Sequence, residues 1–454
     1  MADRTSDTIL RHQQWVDSLS RPERMVSVRI GIALLCVLSA LLPPVPEDIG
    51  FKEIIFMGIF ALVASWGILH REGPRSSAPE DQCIRYKVIG FYSVLLFSSV
   101  MIFFNPDLTP GSWLRGLIPF LGLSMFFTGR QLVRPEDARF VLIWLAVAAT
   151  MNVAIGLKQA TSMTLVDVRS AFALRGMLNY KMYDALCVAI PPALLSAGIM
   201  EAGRNRYLLY ALGGGLLLGN LLGLMRSSVV VAVVVVLTFM ALTRNHPKVR
   251  KNARAAMATI LLLALGMIVM LQVTPTTVGR LLRPAQLVVK ALQMRSQMDA
   301  IGGENYRIRE YRTVFSYGYR SPFLGYGLGA SYQIYREALG FVDMRYTHNI
   351  FSYMLFTCGA MGVIALGILL FQVLKIVVRV LRGIGTLSLT TADVALATAL
   401  LGMILYVQFQ SIYRSVSFFA MFGLILGTIT GRLYVMWYQA GCPPAYPASP
   451  VKTR

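Results

Sequence analysis

Residues 226–244 read RSSVVVAVVVVLTFMALTR. The seventeen residues between the two arginines carry no charge, and roughly 17–25 such residues are enough to cross the hydrocarbon of a bilayer as a helix. No water reaches that interior to bond a bare backbone, so the stretch is expected to be helical, with its two arginines at opposite membrane faces.

Similar apolar runs lie on both sides of it. They fall near 27–45, 53–69, 88–104, 112–129, 139–157, 182–200, 207–224, 255–273, 350–374, 392–410 and 415–437. With 227–243 they make about twelve spans. A chain that is 56% hydrophobic and 14% charged is not a soluble domain. The expected fold is an all-α polytopic membrane protein with about twelve transmembrane helices.

Loop charge sets the orientation, because translocation disfavours Lys and Arg. Loops 70–87, 130–139, 201–206, 244–254 and 375–391 are basic, and these alternate loops and both termini are expected in the cytoplasm. The first 26 residues are charged and precede an uncleaved signal anchor. The expected organisation is a cytoplasmic segment 1–26, nine helices over 27–273, an exported loop 274–349 between helices 9 and 10 with interfacial helices, three helices over 350–437, and a cytoplasmic tail 438–454. Five cysteines fall in apolar helices or cytoplasmic segments, so no disulfide framework supports the exported loops.

Against this bias, positive charge on the exported side needs a reason. Arg169, Arg175 and Lys181 precede the sixth span, Arg226 lies in the turn before the eighth, and Arg414 lies between the last two. The loop 274–348 adds ten basic residues against five acidic ones. Long loops translocate regardless of charge and arginine snorkels to headgroups, which accounts for some of these. Arg226, beside hydrocarbon, is costly unless paired or functional. A di-anionic group at the membrane surface, such as a lipid diphosphate, suits several converging arginines.

Within the long loop, residues 277–300 have the spacing of an amphipathic interfacial helix. A second helix at about 305–319 puts Arg307, Tyr311, Val314 and Gly318 on one face and Arg309, Arg312, Ser316 and Arg320 on another. Gly325-Tyr326-Gly327-Leu328-Gly329 lets backbone approach something closely. Eight tyrosines lie in this loop, either as an interfacial belt or as flat faces for sugar rings. His348 follows at the junction with the tenth span. It is the one histidine of four on the exported side, since His12, His70 and His246 fall on the other. A helix-start histidine is either a capping residue or a proton acceptor.

The order Arg307-x-x-x-Tyr311, then Ser321-Pro322-Phe323-Leu324-Gly325-Tyr326-Gly327-Leu328-Gly329, then His348-Asn349 and Gly359-Ala360-Met361-Gly362, resembles the bacterial O-antigen ligase and polymerase superfamily. Leu174-Arg175-Gly176-Met177-Leu178-Asn179 and Met225-Arg226-Ser227-Ser228 are similar to its two other arginine signatures. The departures are Tyr311, where many members have Trp, and Met225 and Ser228, where small residues are common. The resemblance covers about 170–430. It implies a GT-C-like fold in the bacterial inner membrane and metal-independent transfer of a glycan from undecaprenyl diphosphate to an acceptor hydroxyl on the periplasmic face. The residues matching His348, Arg307, Arg226 and Arg175 serve that reaction. No cofactor and no nucleic acid are implied; the partners are the lipid-linked donor, a lipid A-core acceptor and membrane lipids.

The residues themselves point the same way. Attack of a hydroxyl on an anomeric carbon needs a base and charge stabilisation for the departing diphosphate. The exported face has no Asp-x-Asp, no clustered carboxylates and a single histidine, a poor donor set for a metal. His348 is the expected general base, kept neutral by nearby arginines. Arg307 would orient the base or the leaving group, and Arg175 and Arg226 would hold the diphosphate. Arg309, Tyr311, Arg312 and Arg345 are further substrate contacts, and Asn349 would position a hydroxyl. Elsewhere, Gly215, Gly219 and Gly223 form an expected packing face, Asp184 is a partner for Arg175 or Lys181, and Asp393 is a helix cap.

Three functions compete. A ligase joining O-antigen to lipid A-core is favoured by the single large exported loop and a basic face suited to an anionic acceptor. A repeat-unit polymerase uses two lipid diphosphates. A lipid-linked glycan transporter or flippase would place charges and broken helices near mid-membrane, whereas most charges here collect at one face.

Overall fold

A computed structural model describes residues 22–41, 51–69, 79–162, 184–222, 226–252, 258, 303–336, 340–384, 388–408 and 411–439. Helices stand at eleven of the twelve expected spans. They are α1 Pro22–Leu41, α2 Phe51–Leu69, α3 Pro79–Ser98, α4 Pro110–Leu121, α5 Met125–Gly129, α6 Pro135–Ser162, α7 Ala185–Met200, α8 Arg204–Leu222, α9 Arg226–Thr243, α10 Gly303–Arg320, α11 Ile350–Arg382, α12 Thr391–Tyr406 and α13 Val416–Gln439. All of the ninth span but residue 258, and the whole interfacial helix 277–300, lie outside the described residues. Among the described residues four helices are long and apolar enough to cross a membrane, and five more are apolar but shorter.

The centre is α7, whose residues 185–199 are all buried among α6, α8, α9 and α12. Its Pro191 has no N–H to give to the carbonyl of Cys187, four residues back. In a dry interior that carbonyl needs another donor. The buried carboxamide of Asn220, on α8, supplies it. Asp184 caps α7, its carboxylate accepting from Leu186 N at 2.8 Å.

Two sequence expectations change. The fourth span is not one helix: α4 contains Pro119, and a 3-10 turn at Gly122–Ser124 separates it from α5. The turn and α5 are held by a glycine face on α13. A Cβ at Gly423, Gly427 or Gly431 would meet the backbone of Leu123, Phe126 or Arg130. Four-residue spacing puts these glycines in one row, the small-residue packing expected on α8. On α8 itself, Gly219 abuts Val153 but Gly215 faces open space, and Gly223 is outside the described residues.

At the end of the bundle assigned by charge to the cytoplasm, Asp393 caps α12 in a reciprocal box with Thr390. It also takes a two-pronged bond from Arg432 of α13, 3.0 Å on each oxygen, while Arg432 Nη1 reaches Val133 O at 2.9 Å. Both side chains are buried. Removing one partner of such a pair leaves an uncompensated charge and costs about 3–5 kcal/mol. Arg432→Leu should therefore lower the thermal unfolding midpoint in detergent sharply, and adding Asp393→Asn should restore part of the loss.

The all-α expectation needs one addition. Between α10 and α11, β1 Tyr332–Arg336 pairs antiparallel with β2 Gly340–Met344, Tyr332 opposite Met344 and Tyr335 opposite Phe341. Alternation sends Tyr332, Ile334 and Met344 inward and leaves Gln333, Tyr335, Phe341 and Asp343 exposed. With Leu108, Val314 and Phe356 the inward residues form a second, smaller core.

This cap is pinned to α11 by the glycine loop. Gly359 breaks α11 at φ +63°, ψ −159°. The carbonyls of Phe356 and Thr357 then accept from Tyr326 N and Gly327 N at 2.8 and 2.9 Å, and Ala360 N donates to Pro322 O at 2.7 Å. Gly325 sits at φ +65° with its Cα against Phe356 O, where a Cβ would come within 2.5 Å. What the glycines approach closely is the protein itself: α11 at Gly325, Met101 and Leu108 at Gly327, and the backbone of α4 at Gly329.

Candidate functional site

The last residue of β2 is Met344, and α11 begins at Ile350. The five residues between are held from three sides. From the hairpin, Tyr332 donates its hydroxyl to Tyr346 O at 2.9 Å. From the 3-10 turn Ser411–Arg414, the Tyr413 hydroxyl donates to Thr347 O at 2.7 Å and accepts from Thr347 N at 3.1 Å. Burial, the dominant effect, pushes the Tyr413 phenol well above its usual pKa, against the opposing pull of the Thr347 bonds and the Arg414 charge. It stays a neutral donor and acceptor, as that clamp requires.

The third hold is a carboxylate. Glu310, fully buried on α10, accepts from His348 N through Oε1 and meets His348 Nδ1 through Oε2, both at 2.7 Å. An ionised carboxylate only accepts, so Nδ1 carries a proton, and in the neutral imidazole Nε2 is the basic nitrogen. The imidazole is 24% exposed while the carboxylate is 1% exposed. The site thus contains an oriented, part-exposed imidazole backed by a buried carboxylate. That anion also stabilises the imidazolium formed on proton capture.

Helix spacing explains Glu310's place. On α10, Glu310, Val314 and Gly318 are buried at four-residue steps, while Arg312, Ser316 and Arg320 are exposed. Gly318 faces Leu355 of α11, so this stripe lies toward the start of that helix. Val314 and Gly318 of one face read from the sequence are buried, Arg312, Ser316 and Arg320 of the other are exposed, and a carboxylate stands beside the buried pair.

The remaining candidates divide. Arg307 stands one turn before Glu310 on the same side of α10, and Arg226 opens α9. Arg175 lies outside the described residues. Tyr311 and Arg309 are half-buried on α10, and Arg345 is exposed three residues before His348. Arg312 is exposed and, two residues from Glu310, points about 200° around the helix from it. Asn349 is reassigned. Its carboxamide oxygen caps α11 by accepting from Phe351 N and Ser352 N at 2.8 and 3.2 Å, and its nitrogen donates to Gln408. With both ends engaged, it is a helix cap in place of a hydroxyl-positioning group.

The sequence reading placed arginines near His348 and named no acid beside it. Among the described residues, a charge in direct contact with its ring is the Glu310 carboxylate. On the other side the Tyr346 ring meets the imidazole edge to face, centroids 6.4 Å apart, and the Arg414 guanidinium lies 3.8 Å above Tyr346. Sequence reasoning counted Glu310 only among the loop acids. Its signal was four-residue spacing from Val314 and Gly318.

Residues 211–367 match the family model described as O-Antigen ligase. The matched segment contains Arg226, Arg307, Glu310, the glycine loop, His348 and the kink at Gly359. No curated protein matches the chain.

Proposed function

We propose, on the match of residues 211–367 to the family model described as O-Antigen ligase, that the chain is a glycosyltransferase of the periplasmic face of the inner membrane, moving O-antigen glycan from undecaprenyl diphosphate to a hydroxyl of lipid A-core. The observation that carries this reading is the pair formed by Glu310 and His348 inside the matched segment.

In the proposed reaction the acceptor hydroxyl approaches His348 Nε2. Its proton passes to that nitrogen as its oxygen forms a bond to the anomeric carbon. The bond from that carbon to the diphosphate oxygen breaks on the opposite side, so configuration inverts and the electron pair leaves with the lipid diphosphate. Glu310 holds Nδ1–H throughout and steadies the imidazolium. Arg307, Arg226 and Arg175 supply positive charge for the diphosphate, with Arg309, Tyr311 and Arg345 as outer substrate contacts. No step calls on a metal. Twelve spans with both termini in the cytoplasm put residues 274–349 on the periplasmic side, in agreement with the loop charges.

The ligase is preferred to the repeat-unit polymerase because the chain has one large exported loop and a basic exported face suited to a phosphorylated acceptor. Deletion followed by a lipopolysaccharide gel separates them. A ligase leaves lipid A-core bare and accumulates lipid-linked polymer, whereas loss of a polymerase leaves cores capped by single repeats. Lipid-diphosphate binding without any transfer by the purified protein would instead favour a transporter.

A further inference from the structure

The residue left unused by this scheme is Arg414, in the turn between α12 and α13 and outside the matched segment 211–367. We infer that Arg414, stacked on Tyr346, is a binding residue for the diphosphate of the lipid-linked donor. The inference rests on the glycosyl-transfer reading and assigns this residue to the leaving-group side of the same site.

Three observations support it. First, the guanidinium carbon lies 3.8 Å from the centroid of the Tyr346 ring. Stacking occupies the face of a guanidinium and leaves its in-plane N–H groups free, and that edge matches two oxygens of a phosphate. Second, among the described residues no carboxylate pairs with Arg414, and its side chain is only half-buried. An arginine held flat and accessible, with no described acid beside it, is arranged for an anion from outside.

Third, its position relative to His348 is fixed twice. Tyr346 contacts both the guanidinium and the imidazole. Tyr413, next to Arg414 in the chain, clamps both backbone groups of Thr347, next to His348. An inverting displacement places base and leaving group on opposite sides of the anomeric carbon. The cation that receives the diphosphate therefore has to be near the base without touching it. Arg414 stands one aromatic ring away from the imidazole, while the anion that steadies the imidazolium sits on Nδ1, away from Nε2.

The test is binding of farnesyl diphosphate to the full chain in detergent, with farnesol as the uncharged control. Arg414→Gln should weaken farnesyl diphosphate binding by about tenfold or more, the range for losing a charge-assisted bond, and leave farnesol unaffected. Arg414→Lys should recover only part, because an ammonium neither stacks flat nor binds in two prongs. Tyr346→Leu, which keeps the charge and removes its platform, should fall between wild type and Arg414→Gln. In turnover, Arg414→Gln should raise the KM for the lipid-linked donor and leave that for the acceptor unchanged.

Wild-type binding of farnesyl diphosphate by an Arg414→Gln protein that melts normally would overturn the inference. If that variant does not fold, wild-type binding by Tyr346→Leu and Arg414→Lys together does the same. Failure here is separable from failure of the functional reading. Wild-type transfer with a normal donor KM in Arg414→Gln removes this assignment alone. Absence of transfer by the wild type, with binding still lost in Arg414→Gln, removes the enzyme and keeps the anion site.

Discussion

Replacing His348 with alanine is expected to lower glycan transfer by about 10²–10⁴-fold, the usual contribution of a positioned acid or base. The imidazole nitrogen that faces away from Glu310 is the only basic atom that the loop 345–349 offers in the proposed scheme, so nothing nearby takes over its proton. Folding should survive. Glu310 keeps its bond from the backbone N–H of residue 348, and the loop keeps its clamps from Tyr332 and Tyr413. The lost bond to Glu310 Oε2 leaves one buried oxygen short of a partner, at about 1–3 kcal/mol. Transfer should be compared with a thermal melt of the same detergent-purified protein. Normal transfer at normal expression would remove His348 from the base role.

Glu310→Gln should be nearly as damaging although it changes a single atom's chemistry. The carboxylate accepts twice, once from His348 N and once from Nδ1. A carboxamide has one acceptor and one donor end. If its oxygen keeps the backbone N–H, its NH₂ faces Nδ1, and the imidazole relieves the conflict by moving its proton to Nε2. The nitrogen that should receive the hydroxyl proton is then already protonated. The corresponding exchange in serine proteases costs about 10⁴-fold, and a loss of about 10³–10⁴-fold is expected here on the same ground. Nitrogen-15 NMR of a histidine-labelled protein, with only four histidines to assign, would read the tautomer directly. Glu310→Ala should lose similar activity and also stability, because the buried backbone N–H of residue 348 loses its acceptor. Wild-type transfer by Glu310→Gln, or an unchanged tautomer, would contradict the tautomer account.

The helices were legible because bilayer length acts along the chain, where a single sequence records it. The burial of Val314 and Gly318 and the exposure of Arg312, Ser316 and Arg320 on α10 were legible for the same local reason. What escaped depends on pairs distant in sequence. Glu310 meets a residue 38 positions away, and neither signals the other. Asn220 bonds a carbonyl released by Pro191, and the need for that donor appears only once α7 and α8 are packed together. The hairpin did leave a local trace, since Tyr332, Gln333, Ile334 and Tyr335 alternate, but over a few residues alternation is weak beside the turn residues around it. The glycines at 325–329 were read as permitting close approach. One of their partners, a helix bent at Gly359 with two carbonyls to satisfy, was not predictable from either segment alone.

The central claim is that a base fixed by Glu310 transfers glycan from a lipid diphosphate. Its most direct measurement is transfer by the purified full-length protein, reconstituted in lipid vesicles with polyprenyl-diphosphate-linked O-antigen and lipid A-core, beside its Glu310→Gln and His348→Ala variants. The account predicts glycan-capped lipid A-core with the wild type, undiminished by a metal chelator, and at least hundredfold less with each variant. Equal product from wild type and both variants, or wild-type transfer that stops when divalent metal is chelated, would contradict it.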